Sequence, residues 1–366
     1  MKKAILISYY DWYDKRLIYL EEELKQRGYI VQYYTSNINH LTKEKIKDSN
    51  KQKILINVPM YKKNISIKRI YSLYVFSKKI SKIIKREKPN FIYCIIPPNY
   101  LVERLRKLKV NMNFKLVFDI IDLWPESLPM KKFNNTIFFT KWRDLRKNID
   151  SADIVITECD RYHEILKKQV NEKKLFTIRL IKKFKKNLEL KPLDSNVLHL
   201  CYLGSINNLI DIDCINSLIK KLCNFTPVEV HIIGDGCNRD RLITTIQHSG
   251  AKVHYYGKIF DEEKKQQIFN KCHYGLNIYK ENTLIGLTIK SIDYFKAGLP
   301  IINNIKGDTE EIINSYNIGL NINDIKGNIL YCDLNYKKQV YEIARSIFDK
   351  NNAIKKYNKL LTNLLK

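Results

Sequence analysis

The sequence lacks the long apolar segments that mark membrane-spanning helices. No apolar run approaches the roughly 20 residues that cross a bilayer, although 45% of the 366 residues are hydrophobic. We therefore expect a soluble or peripherally bound protein with an ordinary globular core. Because 366 residues exceed what one hydrophobic core usually organises, we expect two domains.

Metal-binding and disulfide patterns are also missing. The eight cysteines form no C-x-x-C pair and no zinc-like spacing. Several, such as Cys94 and Cys201, stand inside apolar runs, where a thiol behaves as a small hydrophobic group. We interpret them as reduced core residues of a cytoplasmic protein. Asp211-Ile212-Asp213 matches a D-x-D pattern but directly precedes a helix, so we predict no metal site.

Acidic residues are few. The chain has 38 of them against 65 lysines and arginines, a formal net charge of +27. This excess suits nucleic acid, an anionic membrane face or phosphate-bearing substrates. The sequence has no zinc finger, Arg-Gly repeat or RNA-recognition signature, so we expect no nucleic-acid partner. A compositional origin stays open, because enrichment in lysine, isoleucine and asparagine suggests an A/T-rich coding genome.

Strands and helices alternate along the chain, which predicts parallel sheets with crossover helices. A first series fills 1–180, and a lysine-rich stretch, 181–196, is predicted to be a linker. A second series fills 197–345, and 346–366 is a helix that could cross back to the first domain. We predict an α/β fold of two doubly wound, Rossmann-like domains. Ligands bind at the carboxyl ends of such strands, and two facing domains would place a site in the cleft between them.

The second series contains features that suit a nucleotide diphosphate, which needs backbone N–H donors, a close approach free of Cβ atoms and a helix N-terminus. Two loops that follow strands supply the predicted donor contacts Gly204, Ser205, Asn207, Gly234, Asp235 and Gly236. A helix opened by Gly286, Leu287 and Thr288 supplies the N-terminus. Lys290 on its first turn is placed to add a positive charge. The alternatives are a turn glycine at 204 and a solvated lysine at 290.

Three segments of this series also keep a characteristic order. They are the strand ending in Tyr202-Leu203-Gly204-Ser205, the strand ending in Ile232-Ile233-Gly234-Asp235-Gly236, and the unit Lys290-Ser291-Ile292-Asp293-Tyr294-Phe295-Lys296-Ala297-Gly298-Leu299-Pro300. This trio resembles the nucleotide-sugar half of a retaining GT-B glycosyltransferase, the large family 4 type. The resemblance covers most of the second domain and implies the GT-B fold and a nucleotide-sugar substrate.

The resemblance also implies roles for single residues. Asp293 occupies the place of the second glutamate of the family's E-x7-E motif, which binds the ribose hydroxyls; an exposed helix aspartate is the alternative. Lys258, in Tyr256-Gly257-Lys258-Ile259, lies in the loop whose backbone reads the nucleobase. The first glutamate of the motif is replaced by Ile285. The family's arginine and lysine after the first strand are replaced by Asn207, Asn208 and Asp211, a loss for which Lys290 would compensate.

In the first domain, Asp122-Leu123-Trp124-Pro125-Glu126-Ser127 directly follows a buried strand. Similar D-x-W-P-E segments occur in family-4-like glycosyltransferases of bacterial surface polysaccharide pathways. We predict Asp122 and Glu126 as catalytic carboxylates, which can bond or deprotonate a hydroxyl, and Trp124 as a sugar platform. A helix cap with a packed tryptophan is the alternative. Tyr10, Asp11 and Trp12, after the first strand, are predicted to contact the acceptor.

A basic helix is predicted over 65–88, with Ile70, Tyr74, Ile80 and Ile84 near one face. Its surrounding basic residues are Lys68, Arg69, Lys78, Lys79, Lys82, Lys85 and Arg86. Such a helix could rest on anionic lipid, where each basic residue contributes roughly 1 kcal/mol. A helix packed on the core with a solvated lysine face is the alternative.

Together these features imply transfer of a hexosyl unit from a nucleotide sugar, first of all a UDP-sugar, to a hydroxyl group. The acceptor would be a glycan or a lipid-diphosphate-linked glycan in surface polysaccharide synthesis, at the cytoplasmic face of the membrane. The family implies retention of configuration and no divalent metal, and no further cofactor is expected. Two alternatives stay open: a GT-B nucleotide-sugar epimerase, and a non-catalytic nucleotide-sugar-binding partner of another transferase.

Overall fold

A computed structural model describes most of the chain. The described residues are 1–11, 14–40, 42–46, 53–64, 66–128, 136–194, 196–281, 283–327, 329 and 332–365. They divide into two compact units, one formed by Met1–Ile181 with Ala353–Lys366 and the other by Lys182–Asn352. Among the described residues, no helix combines the length and the hydropathy of a membrane span.

The first unit is built on a seven-stranded parallel sheet in the order β3-β2-β1-β4-β5-β6-β7. Its strands are β1 (Lys2–Ile7), β2 (Tyr29–Ser36), β3 (Ile54–Ile56), β4 (Phe91–Ile96), β5 (Lys115–Ile120), β6 (Ile154–Thr157) and β7 (Leu175–Thr177). Its helices include α1 (Asp14–Gln26), α2 (Ile67–Glu87), α3 (Tyr100–Asn111), α4 (Ile137–Asp144) and α5 (Asp160–Leu166). All six residues of β4 are buried, as expected of a central parallel strand covered on both faces.

The second unit carries a six-stranded parallel sheet in the order β10-β9-β8-β11-β12-β13. Its strands are β8 (Leu198–Leu203), β9 (Val228–Ile233), β10 (Lys252–Gly257), β11 (Tyr274–Asn277), β12 (Ile301–Asn303) and β13 (Gly319–Asn321). The helices between and after them are α6 (Ile212–Cys223), α7 (Arg239–His248), α8 (Glu262–Lys271), α9 (Ile289–Lys296), α10 (Asp308–Tyr316) and α11 (Leu334–Phe348).

Both sheets have the strand order of a doubly wound fold, so the predicted α/β class with two Rossmann-like domains is confirmed. In each sheet the first strand in the chain lies inside the sheet, between its second and fourth strands. The order reverses at this point, and loops on its two sides open toward a ligand at the carboxyl edge. In the second sheet the switch lies between β8 and β11, so the loops after these two strands are neighbours.

The helix predicted over 346–366 is interrupted, because α11 extends to Phe348 and a separate helix, α12 (Lys350–Leu365), follows. They are separated at Asp349, whose backbone is extended. The N–H of Lys182 donates to the carbonyl of Phe348 at 3.0 Å, and Lys182 forms a parallel bridge with Asp349. Helix α12 then packs in the first unit, where the hydroxyl groups of Tyr357 and Tyr93 are 3.1 Å apart.

The lysine-rich stretch after residue 181 is bonded to the second unit along its length. The Tyr341 hydroxyl donates to the carbonyl of Lys185, Asn270 donates to that of Glu189 at 3.0 Å, and His273 lies 2.9 Å from that of Asp194. Its composition predicts a linker, and these bonds to α8, α11 and the residue before β11 hold it against the second unit.

Candidate functional site

The glycines of the second unit allow the loops after β8 and β9 to touch. A Cβ atom on Gly234 would lie 1.9 Å from the carbonyl oxygen of Gly204, and one on Gly236 would lie 2.3 Å from that of Ile206. Gly204 and Gly234 also have positive φ angles of 116° and 151°, which favour glycine. The G-x-G pattern is therefore explained by close packing of two loops at the carboxyl edge.

Part of the backbone of these loops is already hydrogen-bonded. The N–H of Gly204 donates to the carbonyl of Ile233 at 2.8 Å, and that of Gly234 donates to the carbonyl of Gly257 at 2.7 Å. The predicted phosphate contact of Gly204 therefore cannot use its own N–H group in this arrangement. Ser205 is exposed and Asn207 half-buried, and the Asn207 side chain accepts from the N–H of Leu209 at 2.9 Å.

Helix α9 begins at the same edge. Its N-cap is Thr288, whose hydroxyl accepts from the N–H of Ser291 at 3.0 Å and donates to Asn277 at 2.9 Å. The carbonyl of Gly286 accepts two hydrogen bonds from Thr309, at 3.1 and 2.8 Å. Gly286, Leu287 and Thr288 are all buried. The turn that opens the helix is thus fixed to β11 and to α10.

Tyr294 fastens α9 to β8. Its hydroxyl donates to the carbonyl of Cys201 at 3.0 Å and accepts from the N–H of Leu203 at 2.6 Å. Gly275 makes room for the ring, since a Cβ there would lie 2.7 Å from it. The N–H of Lys280, in the loop after β11, donates to the carbonyl of Leu209 at 2.9 Å. The loop at 204 and the helix that begins near 286 therefore share one edge of the sheet.

Lys290, on the first turn of α9, lies between β8 and the loop after β11, and its side chain is buried. Its side chain is 7% exposed, and its amine lies 4.6 Å from the centre of the Tyr202 ring and 4.2 Å from that of Tyr279. Within the described part of the chain, the amine has no hydrogen-bond partner. Burial lowers its pKa to about 7. The interpretation as a solvated lysine is therefore wrong, and the sequence gives no signal for the two tyrosine rings.

Asp293, one turn further along α9, is held in an ion pair. Its Oδ1 atom lies 2.5 Å from the amine of Lys182, and its side chain is 26% exposed. It borders a cavity of about 320 Å³ whose other charged residues are Lys183, Lys185, Glu262, Lys265 and Lys296. The carboxylate predicted to bind ribose hydroxyls thus lies in a basic environment and shares one oxygen with a lysine.

The loops after β9 and β10 are linked by charge. Asp235 lies 3.9 Å from the amine of Lys258 and 3.8 Å from the guanidinium of Arg239, and its carboxylate accepts from the N–H of Gly236 at 2.8 Å. Lys258 is 63% exposed. The structure therefore brings Asp235 and Lys258, both predicted to bind the donor, close together. The charge of Asp235 is offset by its basic neighbours.

In the first unit, Asp122 follows β5 and is bonded to its own loop. The Trp124 indole donates to its Oδ2 atom at 2.5 Å, and the Ser127 hydroxyl donates to Oδ1. Burial raises the pKa of Asp122 above its ordinary value, although these two hydrogen bonds oppose the rise. A carboxylate with a raised pKa is a better proton acceptor.

Glu126 has a different environment from Asp122. Its Oε1 atom accepts from Arg143 at 3.0 Å and from Arg146 at 2.9 Å, and Arg146 is 1% exposed. These contacts tie the loop to α4 and to the turn after it. Both bonds are to Oε1, and Oε2 has no hydrogen-bond partner among the described residues. The two arginine contacts favour a role of Glu126 in holding the loop in place.

Trp124 is covered, so it is not an open sugar platform. It is 6% exposed, the Arg69 guanidinium lies 4.3 Å from the centre of its ring, and Trp142 packs edge-on at 5.9 Å. Tyr10, predicted to contact the acceptor, is 4% exposed and accepts from Arg69 at 2.8 Å. The alternative interpretation of a packed tryptophan fits this arrangement better.

Arg69 is the central residue that sequence reasoning misplaced. The sequence pattern groups it with the other basic residues around α2, but it is 6% exposed and donates to the Tyr10 hydroxyl and to the carbonyl of Asn64. It also borders an apolar cavity of about 190 Å³ whose walls include Trp124, Phe139 and Trp142. The remaining basic residues predicted around this helix are exposed, and the buried apolar positions are Leu73, Phe76, Ile80 and Ile84.

Asp11 is linked to the residues around Arg69 through the backbone of His40. Its carboxylate accepts from the N–H of His40 at 3.3 Å, and the His40 ring lies 2.9 Å from the Tyr61 hydroxyl. Burial, followed by the charge of Arg69, lowers the pKa of His40 to about 3. Trp12, the third predicted acceptor residue of this loop, lies outside the described residues.

No protein-family model and no curated protein matches the chain. Solved structures do match over the full length. They include sucrose-phosphate synthase from Thermosynechococcus elongatus (TM-score 0.69, 14% identity, 100% of this chain and 99% of that one). The lipopolysaccharide outer core galactosyltransferase WaaB has a TM-score of 0.68 and 16% identity, with 99% of both chains covered. Anabaena HepE, solved in complex with UDP, has a TM-score of 0.66 and 12% identity, with 100% of both covered.

These neighbours are glycosyltransferases with the GT-B fold. At 12–16% identity the likeness concerns the fold, and it extends over both units of the chain. The predicted GT-B architecture of two Rossmann-like domains is therefore confirmed.

Proposed function

We propose that the protein is a glycosyltransferase that moves a hexosyl unit from a nucleotide sugar, in the first place a UDP-sugar, to a hydroxyl group of a glycan or lipid-linked glycan. Three similar structures are of HepE with UDP, with UDP and glucose, and with UDP-glucose, which supports this class of donor. The family 4 assignment and a role in surface polysaccharide synthesis are parts of the proposal.

One observation carries the donor site: the amine of Lys290 is buried at the carboxyl edge with no hydrogen-bond partner among the described residues. Leaving a buried polar group unpaired is costly, and more so for a charged one. An anion at this edge would restore the charge of the amine and give it an acceptor. The N-terminus of α9, on the same element, favours a phosphate as that anion.

The donor would lie across the loops of this edge. The diphosphate would contact the Gly204–Asn207 turn, Lys290 and the opening of α9, and the ribose hydroxyls would bond the carboxylate of Asp293. The base would lie against the loop that contains Lys258. The donor site is assigned to the second unit alone. Ile285 replaces the family's first glutamate, so the sugar ring would have a hydrophobic neighbour there.

The chemistry follows from the charge that develops on the leaving group. The bond from the anomeric carbon to the phosphate oxygen breaks, the bond from that carbon to the acceptor oxygen forms, and the hydroxyl proton passes to the departing diphosphate. Lys290 and the helix N-terminus stabilise the developing negative charge. We propose that transfer requires no divalent ion, because these groups supply the positive charge. We also propose that transfer retains configuration, and this part rests on the resemblance to the family 4 type alone.

The acceptor is assigned to the first unit. Asp122 would accept a hydrogen bond from the attacking hydroxyl and orient it, while the proton passes to the departing diphosphate. Arg69 is the charged residue that lines the neighbouring apolar cavity, and this arrangement suits a lipid tail beside a diphosphate. Ile67 is 86% exposed and Phe138 53% exposed at this place, and α2 presents its lysines nearby. We therefore propose contact with an anionic membrane at its cytoplasmic face.

Calorimetry with UDP, uridine and pyrophosphate tests the donor site. We expect UDP to bind, pyrophosphate to compete with it, and uridine to bind much more weakly because it lacks the diphosphate. Incubation with UDP-hexoses and a lipid extract should then release UDP only when the acceptor is present. Binding without turnover would favour a non-catalytic binding protein, and conversion of the sugar without an acceptor would favour an epimerase. Failure of UDP to compete with pyrophosphate would contradict the site.

Chelation tests the proposal of metal-independent transfer. With excess EDTA, the turnover of folded protein should stay unchanged. Loss of activity that added Mg²⁺ or Mn²⁺ restores would show that the diphosphate requires a metal ion.

A further inference from the structure

Four of the seven histidines lie together in the second unit. His199 is on β8, His231 on β9, His254 on β10, and His273 directly precedes β11. The rings of His199 and His231 are 5.3 Å apart, and those of His231 and His254 are stacked at 4.7 Å. Glu229 completes the cluster, and the proposed function uses none of these residues.

The strand register explains why these side chains meet. His199 on β8 is paired with Glu229 on β9, and His231 is paired with His254 on β10. Glu229 and His231 are two residues apart, so they point to the same face of the sheet. Each strand contributes only one or two polar residues, and for this reason the sequence shows no metal-ligand spacing.

Three of these residues have ligand atoms at the separations of a metal site. The Nδ1 atom of His199 lies 3.1 Å from Nε2 of His231 and 3.8 Å from Oε2 of Glu229. All three ligand atoms lie within 4.8 Å of one another. Ligands of tetrahedral zinc, with metal–nitrogen bonds of about 2.0–2.1 Å, are separated by about 3.4 Å. Only small side-chain adjustments are therefore needed to place a metal ion between them.

We propose that His199, Glu229 and His231 form a binding site for a divalent transition-metal ion, with zinc as the best-matched metal. Two imidazole nitrogens and one carboxylate oxygen are ligands that zinc prefers, and a three-residue set leaves a fourth position for water. The site is separate from the donor site, and it does not depend on the proposed function.

The surrounding residues orient the ligands in the way that metal sites require. Nδ1 of His231 lies 2.9 Å from the Tyr256 hydroxyl, so a metal ion would bind Nε2 and replace its hydrogen bond with Nδ1 of His199. Nε2 of His254 lies 2.7 Å from Glu229, so His254 holds the carboxylate.

One nearby group opposes a cation. The amine of Lys252 lies 3.1 Å from Oε1 of Glu229 and is 66% exposed. Its positive charge would compete with the metal ion for the carboxylate. If the site binds metal, removing this lysine should therefore strengthen metal binding. A cluster that is only hydrogen-bonded would show no such change.

The test is a titration of the metal-free full-length protein with Zn²⁺ and with Co²⁺. We expect saturable binding of one zinc ion, followed by calorimetry, and visible absorption bands of tetrahedral cobalt. His199→Gln and Glu229→Gln should each weaken zinc binding at least tenfold. His248→Gln, which alters an exposed histidine of α7, should leave it unchanged. All variants carry Cys237→Ser, because Cys237 is an exposed free thiol that could bind zinc by itself.

Lys252→Met should increase the affinity for zinc severalfold. The proposal is overturned if no saturable zinc binding occurs, or if His199→Gln, Glu229→Gln and His248→Gln all bind zinc like their parent. Failure of this site would not affect UDP binding, and failure of UDP binding would not affect zinc binding, so the two proposals are tested separately. Circular dichroism shows whether each variant is folded.

Discussion

The carboxyl edges of the two sheets present their charged groups in different states. In the first unit, Asp122 accepts from Trp124 and Ser127, and the Arg69 guanidinium bonds Tyr10 and stacks on Trp124. In the second unit, the Lys290 amine lies between two tyrosine rings without a hydrogen-bond partner among the described residues. At the first edge each of these charged groups has at least one partner, although Arg69 Nε and Glu126 Oε2 have none among the described residues. At the second edge the whole amine has no partner, and we propose that an anion supplies it.

This difference indicates at which of the two edges the binding of a ligand would change the protein most. At the first edge the hydrogen bonds already hold the side chains in place, so an acceptor would meet a preformed surface. At the second edge a diphosphate would change the charge state of a buried amine whose pKa is about 7. Variants at the first edge should therefore affect turnover, and variants at the second should affect nucleotide binding.

Asp122→Asn should cause the largest effect, a fall in turnover of about 100-fold, because the attacking hydroxyl would lose the carboxylate that orients it, and a loss of orientation can cost about 10²-fold. UDP affinity, measured by calorimetry, should not change. The control is Asp144→Asn, which alters an exposed residue of α4. Full turnover in Asp122→Asn would remove this residue from the mechanism and leave it only a role in the loop.

Lys290→Met should weaken UDP binding by about 10- to 100-fold, since hydrogen bonds to charged groups are worth about 1.5–3 kcal/mol. Lys220→Met, an exposed site on α6, is the matched control. The variant should also be more stable near pH 7. Because folding lowers the pKa of Lys290 from 10.5 to about 7, the buried lysine reduces the free energy of unfolding at neutral pH. This loss disappears as the pH rises from about 7 toward 10.5. Unchanged UDP affinity would refute the phosphate role.

Asp293→Ala should weaken UDP binding by about tenfold, because the ribose hydroxyls would lose a charged acceptor. Lys182→Ala distinguishes this role from that of the ion pair at 2.5 Å. If Asp293 serves only the ion pair, both variants will lose similar stability and bind UDP like the wild type. If it binds ribose, only Asp293→Ala will lose affinity.

Much of the fold could be predicted because its signals are local. Apolar runs such as Phe91–Ile96 became buried strands, and Gly298 followed by Pro300 ended α9 and led into β12 as expected. The break at Asp349 was missed, because a tertiary contact with Lys182 causes it. The path of residues 182–194 was missed for the same reason, since bonds to distant helices hold a stretch of flexible composition.

The site was predictable only in part. The order of the loops at 204 and 234 and of α9 predicted that these elements share an edge, and Tyr294 shows how they are joined. The burial of Lys290 and Arg69 could not be read from the sequence, because the aromatic rings that cover them come from other elements. A lysine or arginine beside exposed basic residues gives the same pattern whether it is solvated or buried.

The central claim is that a diphosphate binds at the Lys290 amine, and the uptake of protons on UDP binding tests it most directly. At pH 8 the amine of the free protein is mostly neutral, whereas UDP is fully ionised and a bound diphosphate would raise the pKa of the amine. Calorimetry in buffers of different ionisation enthalpy should therefore show an uptake approaching one proton at pH 8, little uptake at pH 6, and none in Lys290→Met. Binding of UDP at pH 8 with no proton uptake, or with equal uptake in Lys290→Met, would contradict the account.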